Sequence, residues 1–189
     1  MTDTFFHSPH RRRNALTGEW VTVSPQRGHR PWQGEVGRED SHPQLSHDPA
    51  CYLCPGNTRA NGTVNPEYQS AWAFDNDFPA VLEPDAQGLV IQPTTASVAS
   101  SSLFTSQTLS GECRVLCYSP EHHQTLATLT DRAILNVIQL WKQEVSVLRQ
   151  RHEWVQVFEN RGEMMGCSNL HPHGQIWAVD VLPNEAFKV

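Results

Sequence analysis

Between residues 131 and 151 apolar side chains recur at Ile134, Val137, Ile138, Trp141, Val145 and Leu148, the three-to-four spacing of one helix face. The pattern predicts an amphipathic helix over 131–151, with Thr130 or Asp131 as N-cap and the apolar stripe turned to a core. Four shorter runs, residues 19–24, 113–118, 154–158 and 174–179, are rich in Val, Trp, Phe or Ile and predict strands. The helix falls between the second and third of these, two strands that can neighbour each other. Residues 93–110, Ser/Thr-rich around a single Phe104, predict a mobile surface loop, and Arg11-Arg12-Arg13 a solvated turn. No internal repeat interrupts this order.

The alternation that carries chemistry is Gly166-Cys167-Ser168-Asn169-Leu170-His171-Pro172-His173-Gly174-Gln175-Ile176-Trp177. A spacing of two along a strand puts His171, His173 and Gln175 on one face and Pro172, Gly174 and Ile176 on the other. Two imidazoles and a carboxamide then converge, as in a reaction centre or a metal corner. A neutral imidazole, with a pKa near ~6.5, is a competent nucleophile toward phosphorus, and an amide holds a phosphoryl oxygen without donating an acidic proton. Gln175 in third place therefore biases a phosphoryl-histidine toward transfer rather than release to water. Gly174, lacking a side chain, is expected to give the phosphate room.

Composition narrows the classes. A chain of 189 residues buries one substantial core, and a net charge of −6 argues against a general nucleic-acid binder. The N-terminus has no apolar leader core and no run approaches the ~18 apolar residues of a membrane span, so the chain is expected in the cytoplasm. Five cysteines there disfavour a disulfide framework. The close pair Cys51-Tyr52-Leu53-Cys54 is better used on a metal, with Pro55-Gly56 turning both sulfurs round one ion. It supplies half a tetrahedron, and the candidates for the rest are His122 or His123 after Ser119-Pro120-Glu121, and His171. Cys113, Cys117 and Cys167 read as small packing residues. Nearly all the positive charge is arginine, and Arg27 and Arg30 suit a diphosphate.

The segment at 166–177 is similar to the active-site signature of the galactose-1-phosphate uridylyltransferase family, a branch of the histidine triad superfamily. Further blocks fall in that family's order: residues 14–21 (NALTGEWV), 30–34 (RPWQG), 74–80 (FDNDFPA) and 154–162 (WVQVFENRG). The resemblance implies an α+β or α/β fold, a histidine-triad-like antiparallel sheet with a packed helix, in which residues 1–189 are the N-terminal domain of a two-half architecture. It implies a zinc ion on Cys51, Cys54, His122 and His171, with His123 the adjacent alternative. If His171 binds metal, His173 attacks and Gln175 assists. It places Arg27 and Arg30 on sugar nucleotide, often across a homodimer, Asn76 and Asp77 on the uridine part, and Asn160, Ser168 and Gln175 on phosphate or sugar. Taken alone, Asn76-Asp77 would read as a turn and Asn160-Arg161-Gly162 as a strand end.

The implied reaction moves a uridylyl group from UDP-glucose to galactose 1-phosphate, a step of galactose metabolism. A nucleotide phosphorylase of the same superfamily and a zinc-stabilised domain without activity are the alternatives. Leu170 stands where relatives usually have Pro. The chain stops just after the first active-site strand, so the family's second half is expected to be missing. Val189 stands where bacterial relatives carry an iron-binding Glu, and no iron is assigned.

Overall fold

The computed structural model describes residues 6–29, 45–83, 103, 105–162, 165, 167 and 169–188. Its elements in chain order are β1 (His10–Arg13), β2 (Trp20–Val23), β3 (Trp72–Asp75), β4 (Ser106–Thr108), β5 (Gly111–Cys117), α1 (Asp131–Leu148), β6 (Trp154–Phe158), β7 (His173–Val179) and the one-turn α2 (Asn184–Phe187). A 3-10 turn covers Pro25–His29.

The main sheet has the order β3-β5-β7-β6, every pair antiparallel. The strands flanking the helix, β5 and β6, are not neighbours: both pair with β7, which lies between them. A helical crossover requires only that its two strands run parallel in the sheet. The position between them falls to β7, whose Gly174, Ile176 and Ala178 are small or apolar and buried.

That face of β7 packs under α1. Val137 and Leu148 of the helix meet Leu116, Tyr118, Leu129, Ile176 and Ala178 in one buried cluster. Thr130 caps the helix, its side chain accepting from the Ala133 N–H, and Asp131 complements the dipole in the first turn. The helix ends at Leu148, short of 151, and the core stripe is narrower than its apolar pattern, since Ile138 stays 40% exposed. On the other side of the sheet Val115 and Cys117 join Cys51, Leu53, Cys54, Tyr68 and Phe74. One sheet thus separates a helix-backed core from the face that carries the chemistry.

A smaller sheet, β2-β1-β4, contains two departures from expectation. Arg11–Arg13 form a strand rather than a turn, and Ser106–Thr108 pair with β1 inside the stretch expected to be a loop. Backbone pairing needs no apolar alternation, so polar strands escape a hydrophobic pattern. Arg11 here bonds Gln107 and lies 4.4 Å over the Trp20 ring. Residues 93–102 and 104 of that stretch lie outside the described residues.

At the end of the sheet remote from His173, Glu112 is held by His152 at 2.9 Å and by Arg151 at 2.6 Å. Burial raises its pKa, but the His152 hydrogen bond and the charges of Arg151, His152 and Arg114 outweigh that and leave it below the ordinary carboxylate range. No helix among the described residues is long and apolar enough to cross a membrane.

Candidate active site and metal cluster

Cys51 and Cys54 sit on the turn their spacing implied, and β7 with the loop before it brings His171 to them. The donor atoms of Cys51, Cys54, His122 and His171 all lie within 4.8 Å of one another, and all four residues are buried. Cys54 Sγ is 3.5 Å from Nδ1 of His122 and 3.5 Å from Nδ1 of His171. The choice between adjacent histidines is thereby made: His122 points in, while His123 is exposed.

The protonation pattern suits a cation. Burial, with smaller contributions from His122 and His173, pushes the His171 imidazole down to about 3, and burial also lowers His122 against the pull of Asp48. Both rings are neutral and offer lone pairs. Burial pushes the Cys54 thiol up to about 12, so an ion binding there displaces a proton. Tyr68 settles which His171 nitrogen binds. Its hydroxyl donates to the Leu53 carbonyl at 2.7 Å and lies 2.9 Å from His171 Nε2, so Nε2 carries the hydrogen and Nδ1 the lone pair. Asn169 ties the same corner from the other side, its Oδ1 accepting from the His171 N–H at 2.9 Å and its Nδ2 3.5 Å from Cys51 Sγ. These residues fit a tetrahedral metal ion.

Both nitrogens of the His171 ring are engaged, Nδ1 beside Cys54 and Nε2 beside Tyr68, so His171 serves the cluster; it shares one cleft with His173, and Gln175 shares another with His173. His173 Nδ1 donates to the His171 carbonyl at 2.7 Å, which leaves the lone pair on Nε2. Strand β7 is paired on both sides here, Cys117 opposite His173 and Val115 and Phe158 opposite Gln175. Such pairing holds both side chains rigidly.

Among the described residues His173 lines both of the clefts beside the cluster. The first is walled by Tyr52, Leu53, Phe74, Phe78 and Val115, with Asn76, Asp77 and Gln175 as its polar groups. The second is formed by Glu159, Asn160, Arg161, Cys167, Asn169 and His171 among others. In that second cleft burial raises the Glu159 carboxyl against the charge of Arg161. Asn76 and Asp77 thus line one cleft with His173, and Asn160 the other. Arg27 lies on the 3-10 turn and is not among the described residues of either cleft. Arg30, Ser168 and Val189 fall outside the described residues.

Gly174 does not serve the role expected of it. It faces the helix side, where a Cβ would run into the Tyr118 hydroxyl and come within 2.9 Å of the Phe158 carbonyl. Gly174→Ala should therefore act through packing, lowering stability by about 1–3 kcal/mol in thermal unfolding. Tyr118→Phe in the same chain should restore part of the loss. An unchanged Tm for the single variant would contradict this.

The model of the galactose-1-phosphate uridyl transferase N-terminal domain matches residues 2–183. The chain belongs to that family. Galactose-1-phosphate uridylyltransferase of Haemophilus influenzae is 47% identical over 177 residues, covering 94% of this chain and 48% of that protein. The enzyme of the same name from Schizosaccharomyces pombe is 41% identical over 95% of this chain and 51% of that protein, and the one from Rattus norvegicus 44% over 98% and 48%. The chain thus spans about half the length of these curated uridylyltransferases. A solved uridylyltransferase and a uridylyltransferase mutant superpose with TM-scores of 0.62 and 0.64 over 92% of this chain and 47% and 46% of theirs. Their identities of 22% and 21% make this agreement one of fold. Within this chain the site residues not anticipated are Tyr68, Asn169, Phe74 and Glu159. Phe74 and Glu159 lay inside blocks already singled out, whereas nothing in the spacing of Tyr68 marks it.

Proposed function

We propose that this chain is the N-terminal, nucleophile-bearing domain of a cytoplasmic UDP-glucose–hexose-1-phosphate uridylyltransferase, a homodimer in its complete form. His173 Nε2 attacks the α-phosphorus of UDP-glucose, the bond to the bridging oxygen breaks, and glucose 1-phosphate leaves. A phosphate oxygen of galactose 1-phosphate then attacks the uridylyl-histidine, forming UDP-galactose and regenerating the imidazole. The observation that carries the reading is the place of His173 at the junction of two clefts, one walled by Tyr52, Phe74 and Phe78 and the other lined by Glu159, Asn160 and Arg161, with Nδ1 held by the His171 carbonyl.

Each group has a role in this scheme. The His171 carbonyl steadies the ring and the positive charge it acquires on phosphorylation. The Gln175 amide donates to a non-bridging phosphoryl oxygen and, being no acid, does not speed loss to water. Asn76 and Asp77 receive the uridine, with its base against the aromatic wall of the first cleft. Asn160 and Ser168 take phosphate or sugar in the second, and Arg27 and Arg30 take the diphosphate. Catalysis is positioning plus electrostatics.

Zinc is the ion for Cys51, Cys54, His122 and His171 in this reading. Zn–S bonds of about 2.3 Å and Zn–N bonds of about 2.05 Å at tetrahedral angles set S and N about 3.5 Å apart, the separation of Cys54 Sγ from both Nδ1 atoms, 3.5 Å. Four protein donors close the site, so the ion supplies structural order rather than Lewis acidity.

Ligand preference tests the reading. UDP-glucose should bind more tightly than ADP-glucose or a diadenosine polyphosphate in calorimetric titration of the chain. Equal or stronger binding of the diadenosine compound would favour a phosphorylase instead.

A further inference from the structure

Arg59 belongs neither to the metal quartet nor to the described lining of either cleft, yet it grips the nucleoside cleft from behind. It stands on the small hairpin closed by the Thr58–Val64 bridge, immediately after the C-x-x-C turn, with its backbone N–H on the Thr63 carbonyl at 2.9 Å. From there its guanidinium lies 4.3 Å over the ring of Phe74, and Nη1 is 3.2 Å from Asp77 Oδ1 and 3.4 Å from the Asp75 carbonyl. The two charged side chains are only 10% and 7% exposed. A carboxylate so far withdrawn from water requires its partner, because removing one member strands the other charge. Among the described residues Arg59 makes the one hydrogen bond to this carboxylate, through Oδ1. Asp77 Oδ2 has no such partner among the described residues, while Asp77 lines the cleft.

We propose that Arg59 is a positioning residue of the nucleotide site. It fixes the Asp77 carboxylate by one oxygen so that the other accepts hydrogen bonds from ribose hydroxyls, and it braces the Phe74 ring against which the base lies. The ligand class selected in this way is a ribonucleotide with a free 2′,3′-diol. Arginine suits the task better than lysine because its planar cation stacks on the ring while directing a fixed N–H at the carboxylate. The proposal rests on the nucleoside reading of the first cleft.

The test is calorimetric titration of the whole chain with uridine 5′-monophosphate and with its 2′,3′-dideoxy analogue. The proteins are wild type, Arg59→Met, Arg59→Lys, Asp77→Asn and the Arg59→Met/Asp77→Asn double variant, with near-ultraviolet circular dichroism as the check of fold. Arg59→Met should weaken the ribonucleotide about tenfold and leave the dideoxy analogue unchanged. Arg59→Lys should lose less, and the double variant no more than the worse single one, since both act on one contact. Loss of both ligands to the same extent in Arg59→Met, or no loss of either, would overturn the proposal. Should Arg59→Met fail to fold, Arg59→Lys decides by the same comparison: selective loss supports the proposal and equal loss overturns it. If wild type binds the ribonucleotide and only the variants disappoint, the nucleoside cleft stands without this role for Arg59. If wild type binds neither ligand, the reading of the cleft falls and the proposal with it.

Discussion

Replacing Cys51 and Cys54 together by serine should release the bound zinc and lower thermal stability more than any other pair of changes in the chain. Structural zinc contributes on the order of ~10 kcal/mol of apparent folding energy in small peptides at neutral pH. A domain with its own core will lose less than that, but several kcal/mol is the expected scale. The loss should also reach the nucleotide. Tyr52 and Leu53, between the two cysteines, are themselves walls of the first cleft, and the Leu53 carbonyl holds the Tyr68 hydroxyl that orients His171. Disordering that turn removes cleft and metal corner at once, so UDP-glucose affinity should fall although neither cysteine lines the cleft. Native mass spectrometry, a melting curve and a titration measure the three effects. Zinc retained in full by the double variant, or an unchanged Tm, would sink the assignment.

Much of this corner was legible because it is built from residues whose chemistry is specific and whose spacing is local. Two thiols three apart with a Pro-Gly turn supply half a metal site, alternating His and Gln on a strand share one face, and the blocks in the family's order narrowed what each is for. The helix stripe and β6 and β7 were legible for a similar reason: each buries one face, and burial writes a period into the sequence. Strands β1 and β4 were not, since Arg11–Arg13 and Ser106–Thr108 contribute backbone hydrogen bonds and polar side chains and bury no apolar face. The strand order was not legible either, because a crossover helix says that β5 and β6 are parallel and leaves open what lies between.

One error of detail concerns Gly174. Alternation placed His171 beside His173 and put Gly174 with the residues turned away, yet Gly174 was assigned a duty toward phosphate. In the structure Gly174 faces Tyr118, as that alternation requires. Tyr68, Asn169 and Arg59 act through contacts 103, 118 and 18 residues away in sequence, on His171, Cys51 and Asp77, and no local pattern announces such partners. The choice of His122 over His123 needed burial to decide it.

Substitution at His173 should have the second large effect. His173→Gly should abolish formation of a uridylyl-protein from UDP-glucose while leaving zinc content unchanged, because the four-donor group includes His171 and not His173. Added imidazole should restore release of glucose 1-phosphate, entering the space left by the ring and attacking phosphorus from the same side. Gln175→His should still form the adduct but lose it faster to water, since a protonated ring in place of the amide supplies an acid. Release of glucose 1-phosphate, followed with and without imidazole, measures all three. Full activity in His173→Gly without imidazole would remove the nucleophile from this position.

The central claim is that one named nitrogen becomes covalently uridylylated. A phosphoramidate is labile in acid and stable in base, so the zinc-loaded chain should be incubated with UDP-glucose, digested at high pH, and its peptides mapped by mass spectrometry. The account predicts a uridylyl group on the peptide containing 171–177, localised to His173 and absent from His173→Ala. An adduct on His171, an adduct that persists in His173→Ala, or none at all on the intact zinc-loaded chain would contradict it.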